Sequence, residues 1–127
     1  MKVIYVAGPY RSRSPIRVLV NIIRAWLAAA KVWRLGAVAI CPHTNALGMT
    51  DWPLYVPIET ILQGEKKILY YCDAMLLIGK FWKSPGTRDE MFAAWEHGIP
   101  IFDDLEDLAR WLKEAHDDAT GTSSRLD

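Results

Sequence analysis

Four short apolar runs, each followed by a stretch with helical periodicity, constrain this chain more than any other feature. Val3-Ile-Tyr-Val-Ala7 stops at Gly8-Pro9 and reads as a buried strand. Ser14 and Pro15 supply an N-cap and a first helical residue. The helix they open carries apolar Ile16, Leu19, Val20, Ile23, Trp26, Leu27, Ala30 and Trp33 until Gly36 ends it. Ala37-Val-Ala-Ile-Cys41 is the second strand, stopped by Pro42. Residues 42–56 read as an irregular loop long enough to suspect a role at a site. Pro57 opens a helix to about Tyr71, and Ala74–Ile78 is an unbroken apolar run of the kind covered on both faces. Gly79–Gly86 is a loop in which Ser84-Pro85 repeats the cap pair for a helix to about His97. Ile99–Phe102 is a fourth strand whose proline places it at an edge or a strand start. Asp104 caps a last helix bearing Leu105, Leu108, Trp111 and Leu112 on one stripe.

The order βαβαβαβα predicts one α/β domain over residues 1–115, with residues 116–127 as a flexible polar tail. The expected architecture is an open parallel sheet of four or five strands with helices on both faces, flavodoxin- or Rossmann-like, in the order 2-1-3-4. That order reverses between strands one and three, and ligands bind beyond the carboxyl ends of the strands at such a point. The loops meeting there are Gly8–Ser14 and Gly79–Gly86.

Composition excludes several classes. With 127 residues, 51% of them hydrophobic, and zero formal net charge, intrinsic disorder is excluded for the bulk of the chain. No charge-free apolar run of about 18 residues is present to span a membrane, and no signal-peptide pattern precedes the first strand. Two cysteines, Cys41 and Cys72, are too few for a disulfide framework, and the three histidines lack metal-ligand spacing with them. The expectation is a cytoplasmic protein without metal or other cofactor. Residues 1–50 hold seven bases and no acid, whereas residues 51–127 hold eight bases against fifteen acids, a split of +7 and −7. That asymmetry suits either an anionic ligand or pairing between the halves. No basic stripe dominates the molecule, so nucleic acid is not an expected partner.

The first loop, Gly8-Pro-Tyr-Arg-Ser-Arg-Ser14, is neither a dinucleotide fingerprint nor a P-loop. Its arginines, hydroxyls and helix N-terminus favour a phosphate or carboxylate, against the plainer reading of a solvated basic turn. In the second loop Ser84 caps the helix, and Gly86 in the first turn suits a close approach to the backbone. Glu90 flanks the apolar stripe Met91, Ala94, Trp95, Gly98, where a site carboxylate and an ordinary dipole-favouring glutamate both remain open. Glu65 is the least ordinary residue. Ile58, Ile61, Leu62, Ile68, Leu69 and Cys72 form a helical stripe whose missing member is position 65. A carboxylate there must be paired or must line a cavity, and Gly64 beside it suggests a close neighbour. His43 follows a strand end, and Tyr10 and Trp82 are placed to stack on a ligand ring. Trp26, Trp33, Trp95 and Trp111 read as core. No G-x-S-x-G elbow supports Ser-His-Asp catalysis.

Together, Val3-Ile-Tyr-Val-Ala-Gly-Pro-Tyr-Arg11, Asn21, Cys41-Pro-His43, Cys72-Asp73 and Ser84-Pro-Gly-Thr-Arg-Asp-Glu90 resemble the nucleoside 2-deoxyribosyltransferase superfamily, and most of all its DUF4406 branch, over about residues 2–112. The resemblance implies cleavage or transfer at the N-glycosidic bond of a (deoxy)nucleoside or its 5′-monophosphate. It implies that Glu90 is the nucleophile and that Glu65, where relatives usually carry aspartate, handles the leaving base. It also implies that Arg11 and Ser84, with the backbone of Gly86 nearby, hold the 5′-phosphate as in nucleotide-preferring relatives, that Gly8 is among the substrate-binding residues, and that the chain forms a homodimer or larger homo-oligomer. The competing reading is a nucleotide-binding module on the same scaffold that turns nothing over.

Overall fold

The computed structural model describes residues 1–126, with the side chains of His43 and residues 120–126 outside the described set. In chain order the elements are β1 (Val3–Ala7), α1 (Pro15–Arg34), β2 (Val38–Ile40), α2 (Pro42–Asn45), α3 (Ile58–Tyr70), β3 (Ala74–Leu77), a 3₁₀ turn (Phe81–Lys83), α4 (Pro85–Glu96), β4 (Ile101–Phe102) and α5 (Leu105–Leu126). The strands form one parallel sheet in the order β2-β1-β3-β4, as the element order predicts. Ile4 pairs with Ala39 on one side and Ala74 on the other. A reciprocal clamp sets this register: Val3 N donates to Asp73 Oδ2 at 2.7 Å, and Asp73 N donates to Val3 O at 2.8 Å.

Alternation along β1 divides the core in two. Tyr5 and Ala7 join Leu69, Met75, Leu77, Ala93 and Ala94 under α3 and α4. Ile4 and Val6 join Val32, Leu76 and Leu108 under α1 and α5. Both serine caps form as expected, with Arg17 N donating to Ser14 Oγ at 3.4 Å and Thr87 N to Ser84 Oγ at 3.3 Å.

Three local expectations are corrected. The loop at 42–56 contains the helical turn α2, which Pro42 starts because its fixed φ suits a first helical position. The last helix continues to Leu126, although Ala115 is its last half-buried position among the described side chains, so packing stops near residue 115. Beyond that point the helix extends from an already formed nucleus, each further residue adding one backbone bond.

The third correction concerns the tryptophans. Trp26, Trp33 and Trp95 are 64%, 53% and 70% exposed, and only Trp111 is half-buried, 5.6 Å from the Phe102 ring. On α1 the inward positions are Asn21, Ala25 and Val32, with Ala28 packed beside them. The alanines let this helix lie close on the sheet, and its bulkier stripe faces the other way.

At the carboxyl end of β1 the backbone must pass β3 closely. A Cβ on Gly8 would lie 2.5 Å from Ile78 Cγ1 and 2.8 Å from the Ile78 carbonyl oxygen. A backbone oxygen cannot swing aside as a side chain can. Gly8→Ala is therefore expected to lower stability by about 1–3 kcal/mol, measured as a reduced urea midpoint at unchanged slope.

Candidate active site

The carboxyl ends of β1 and β3 open on a cleft of about 920 Å³. Each wall follows from local structure. Asn21, buried on α1, donates from Nδ2 to the Tyr10 carbonyl at 3.3 Å and so holds the first loop against the helix. Arg11 on that loop lines the cleft. On the opposite wall Ser84 Oγ accepts from Thr87 N and, at 2.9 Å, from Thr87 Oγ1. A hydroxyl that accepts twice still has its own proton to donate. Gly86 follows on the same wall, and a Cβ there would meet no atom within 4 Å, so the space beside its backbone is open.

Two carboxylates face this cleft, Glu65 from α3 and Glu90 from α4. The Tyr5 hydroxyl, rising from the floor of the sheet, donates to Glu90 Oε2. Burial, helped by the charge of Glu65 and opposed by the Tyr5 hydrogen bond, leaves the Glu90 carboxyl raised to about 7. Burial also raises Glu65, and the Arg11 guanidinium opposes that rise. Tyr5 is pushed far above the usual phenol range by burial and by Glu90, so it remains a proton donor to the carboxylate. Outside the cleft, Asp89 pairs with Lys66 at 2.9 Å and serves as an ordinary surface acid.

Seven residues singled out from sequence line this one cleft: Gly8, Tyr10, Arg11, Glu65, Ser84, Gly86 and Glu90. Trp82 is not among its lining residues. It is 56% exposed and packs edge-on to Phe81 at 5.2 Å. In a 3₁₀ turn, positions three apart share a face, and Lys80 and Lys83 take the cleft side. The backbone of His43 lies in α2, and its side chain is outside the described residues. No protein atom comes within 4 Å of a Cβ built on Gly64, so that glycine answers to no close protein neighbour. Sequence reading missed Tyr5, whose place in an apolar strand hides a phenol aimed at an acid. The signal available was a lone hydroxyl in a fully buried run, which needs a partner.

No family profile and no curated protein match the chain. Solved structures do. A 2-deoxyribosyltransferase from the psychrotolerant bacterium Bacillus psychrosaccharolyticus superposes with a TM-score of 0.59 at 18% identity, over 81% of this chain and 75% of that one. The fold is that of a 2-deoxyribosyltransferase. A conserved protein from Enterococcus faecalis V583 superposes with a TM-score of 0.57 at 22% identity, over 80% of this chain and 61% of that one.

On this 2-deoxyribosyltransferase-like fold the raised Glu90 carboxyl has a stability signature. Between its ordinary value of 4.5 and about 7 the folded chain holds a proton that the unfolded chain has released. Stability therefore falls as pH rises through that window. Glu90→Gln removes the titration, so its stability relative to the parent is expected to grow from pH 4.5 to pH 8 by on the order of 3 kcal/mol. Denaturant melts at both pH values check this.

Proposed function

We propose that this chain cleaves or transfers the N-glycosidic bond of a (deoxy)nucleoside or its 5′-monophosphate. The observation carrying the proposal is the pairing of Glu65 and Glu90 in one cleft with Arg11 and Ser84. A site that only held an anion would gain nothing from two acids beside it.

In this reading Glu90 attacks C1′ through the oxygen that Tyr5 leaves free, and the C1′–N bond breaks with its electron pair moving to the base. Glu65, whose raised proton affinity suits a donor, protonates the departing nitrogen. The result is a glycosyl ester on Glu90. Water or a second base then attacks C1′ and gives its proton to the Glu65 carboxylate, the ester C–O bond breaks, and Glu90 is restored as carboxylate and Glu65 as acid. Two inversions retain the anomeric configuration, the logic of retaining glycosidases. Arg11 and the Ser84 hydroxyl proton are the groups for a 5′-phosphate. Tyr5 acts through Glu90 as a positioning residue, holding the carboxylate at one oxygen and favouring its ionised form.

Incubation with a panel of nucleosides and 5′-monophosphates, with and without a second base, is expected to liberate free base or exchanged nucleoside by chromatography. Glu90→Ala should reduce release by at least about a thousandfold while circular dichroism stays unchanged. Stabilisation by a nucleotide without any released base would assign the cleft to binding alone.

The nucleophile must be ionised, so activity should rise with pH through the Glu90 titration near 7. Tyr5→Phe removes the hydrogen bond that lowers that titration. Its ascending limb should move to higher pH, with turnover at pH 6 reduced more than turnover at pH 8. An unshifted limb in Tyr5→Phe contradicts the assigned role of Tyr5.

A further inference from the structure

The cleft holds more positive charge than the proposed reaction uses. Five bases line it, Arg11, Arg17, Arg24, Lys80 and Lys83, against two acids, Glu65 and Glu90. Arg11 and the Ser84 hydroxyl already serve one phosphate. Among the described residues none of the other four bases enters an ion pair. The two acids compensate little, because both hold their protons more tightly than an ordinary carboxylate. The chain as a whole is neutral, so this excess is local. Like charges gathered around one concave surface focus a field that draws in anions.

The four unused bases come from two elements that meet at the end of β3. Arg17 and Arg24 are seven residues apart on α1 and so share one side of that helix. Lys80 and Lys83, three apart, take the cleft side of the 3₁₀ turn. Gly79 joins the two rows. A Cβ there would lie 2.8 Å from Arg24 Nη1 and 3.4 Å from Pro9 Cδ, so the guanidinium rests on the Gly79 backbone, one residue before Lys80. Pro9 begins the loop that carries Arg11, and Lys83 directly precedes Ser84. The basic row therefore starts where the groups for the first phosphate end. Its α1 half lies across the sheet from the acids, since α1 covers the face opposite α3 and α4.

We propose that Arg24, Lys80 and Lys83, flanked by Arg17, form a second anion site, and that the nucleotide entering this cleft carries a 5′-di- or triphosphate. A monophosphate brings about two negative charges, which Arg11 and Ser84 suffice to meet. A row that runs on from the first site suits a linear polyphosphate better than a separate anion. Arg24, its planar fork held on the Gly79 backbone, can take two phosphate oxygens at once, whereas the lysines act as point charges. The inference rests on the glycosidic reading for the orientation of the nucleotide, with C1′ at Glu90. The anion site itself is measured without any glycosidic bond.

Calorimetric titration of the full chain with inorganic phosphate and with tripolyphosphate, free of divalent metal, tests the site. Tripolyphosphate is expected to bind at least about tenfold more tightly than phosphate. Arg24→Gln, and separately Lys80→Gln with Lys83→Gln, should remove most of that preference while phosphate affinity stays within about twofold. Arg34→Gln, which removes an exposed charge of α1 outside the cleft lining, should leave the preference intact. All four side chains are exposed, so the fold is expected to survive each change. Equal affinity for the two probes overturns the proposal. So does a loss in Arg34→Gln as large as that in Arg24→Gln, which would mark unspecific attraction by the helix. 2′-Deoxynucleoside 5′-triphosphates should likewise bind more tightly than their monophosphates, and triphosphates that bind no tighter overturn it as well. Base release from monophosphates without the tripolyphosphate preference keeps the glycosidic reading and overturns the second site. The preference without base release from any nucleotide keeps the site and overturns the reaction.

Discussion

β1 and β3 run side by side in the middle of the sheet, with the chain leaving β1 toward α1 on one face and leaving β3 toward α4 on the other. Because these exits diverge, the two loops cannot pack on each other, and a cleft opens between them. The hydrogen bond from Ile78 N to the Ala7 carbonyl at 2.9 Å carries the pairing to the very edge of that cleft. Gly8 permits it, since a side chain there would strike the Ile78 backbone. The same pairing orients Tyr5. With its register set by the Val3–Asp73 clamp, the pleat turns Tyr5 toward α4, where Glu90 sits about a turn and a half from the helix start.

Electrostatic competition then differentiates two residues of one chemistry. Glu90 is the more deeply buried acid, held up by desolvation and drawn down by a phenol that donates to it. Glu65 is half-buried, and its chief opposing influence is the guanidinium of the exposed Arg11. A ligand anion that engages Arg11 would withdraw that opposition and raise the proton affinity of Glu65 further. In the reaction proposed above, substrate charge would thereby prepare Glu65 as the donor, while Glu90, bonded to the buried Tyr5, would be affected less. Two acids with different partners can divide the roles of donor and nucleophile.

Much of this was readable in the residues. The Ser14-Pro15 and Ser84-Pro85 pairs mark both helix starts at the cleft, because each cap residue must satisfy orphan amides and each proline suits the position that follows. Glu65 declares itself by interrupting a stripe. Tyr5 does not, because alternation shows which face a strand residue takes but not which distant helix delivers an acid to it. The misplacement of Trp82 has a different cause: whether Gly79–Gly86 forms an open loop or a 3₁₀ turn decides which residues face inward, and the loop composition is the same for both. The start of α2 at Pro42 was hidden likewise, since a single helical turn has no periodicity to read.

The tryptophans of α1 expose a deeper limit. Hydrophobic periodicity reports that a face is covered, not by what, and a stripe that meets its own sheet has the same period as one that meets another molecule. Size breaks the tie here. Ala25 and Ala28 bring the helix close to the sheet, while Trp26 and Trp33 on the far side have no sheet layer to fill. Turning the bulky stripe inward instead would require the helix to stand off from the sheet, because the indoles need more room than Ala25 and Ala28 occupy. The chain therefore packs its small residues inward and carries its large ones on the outer face of α1.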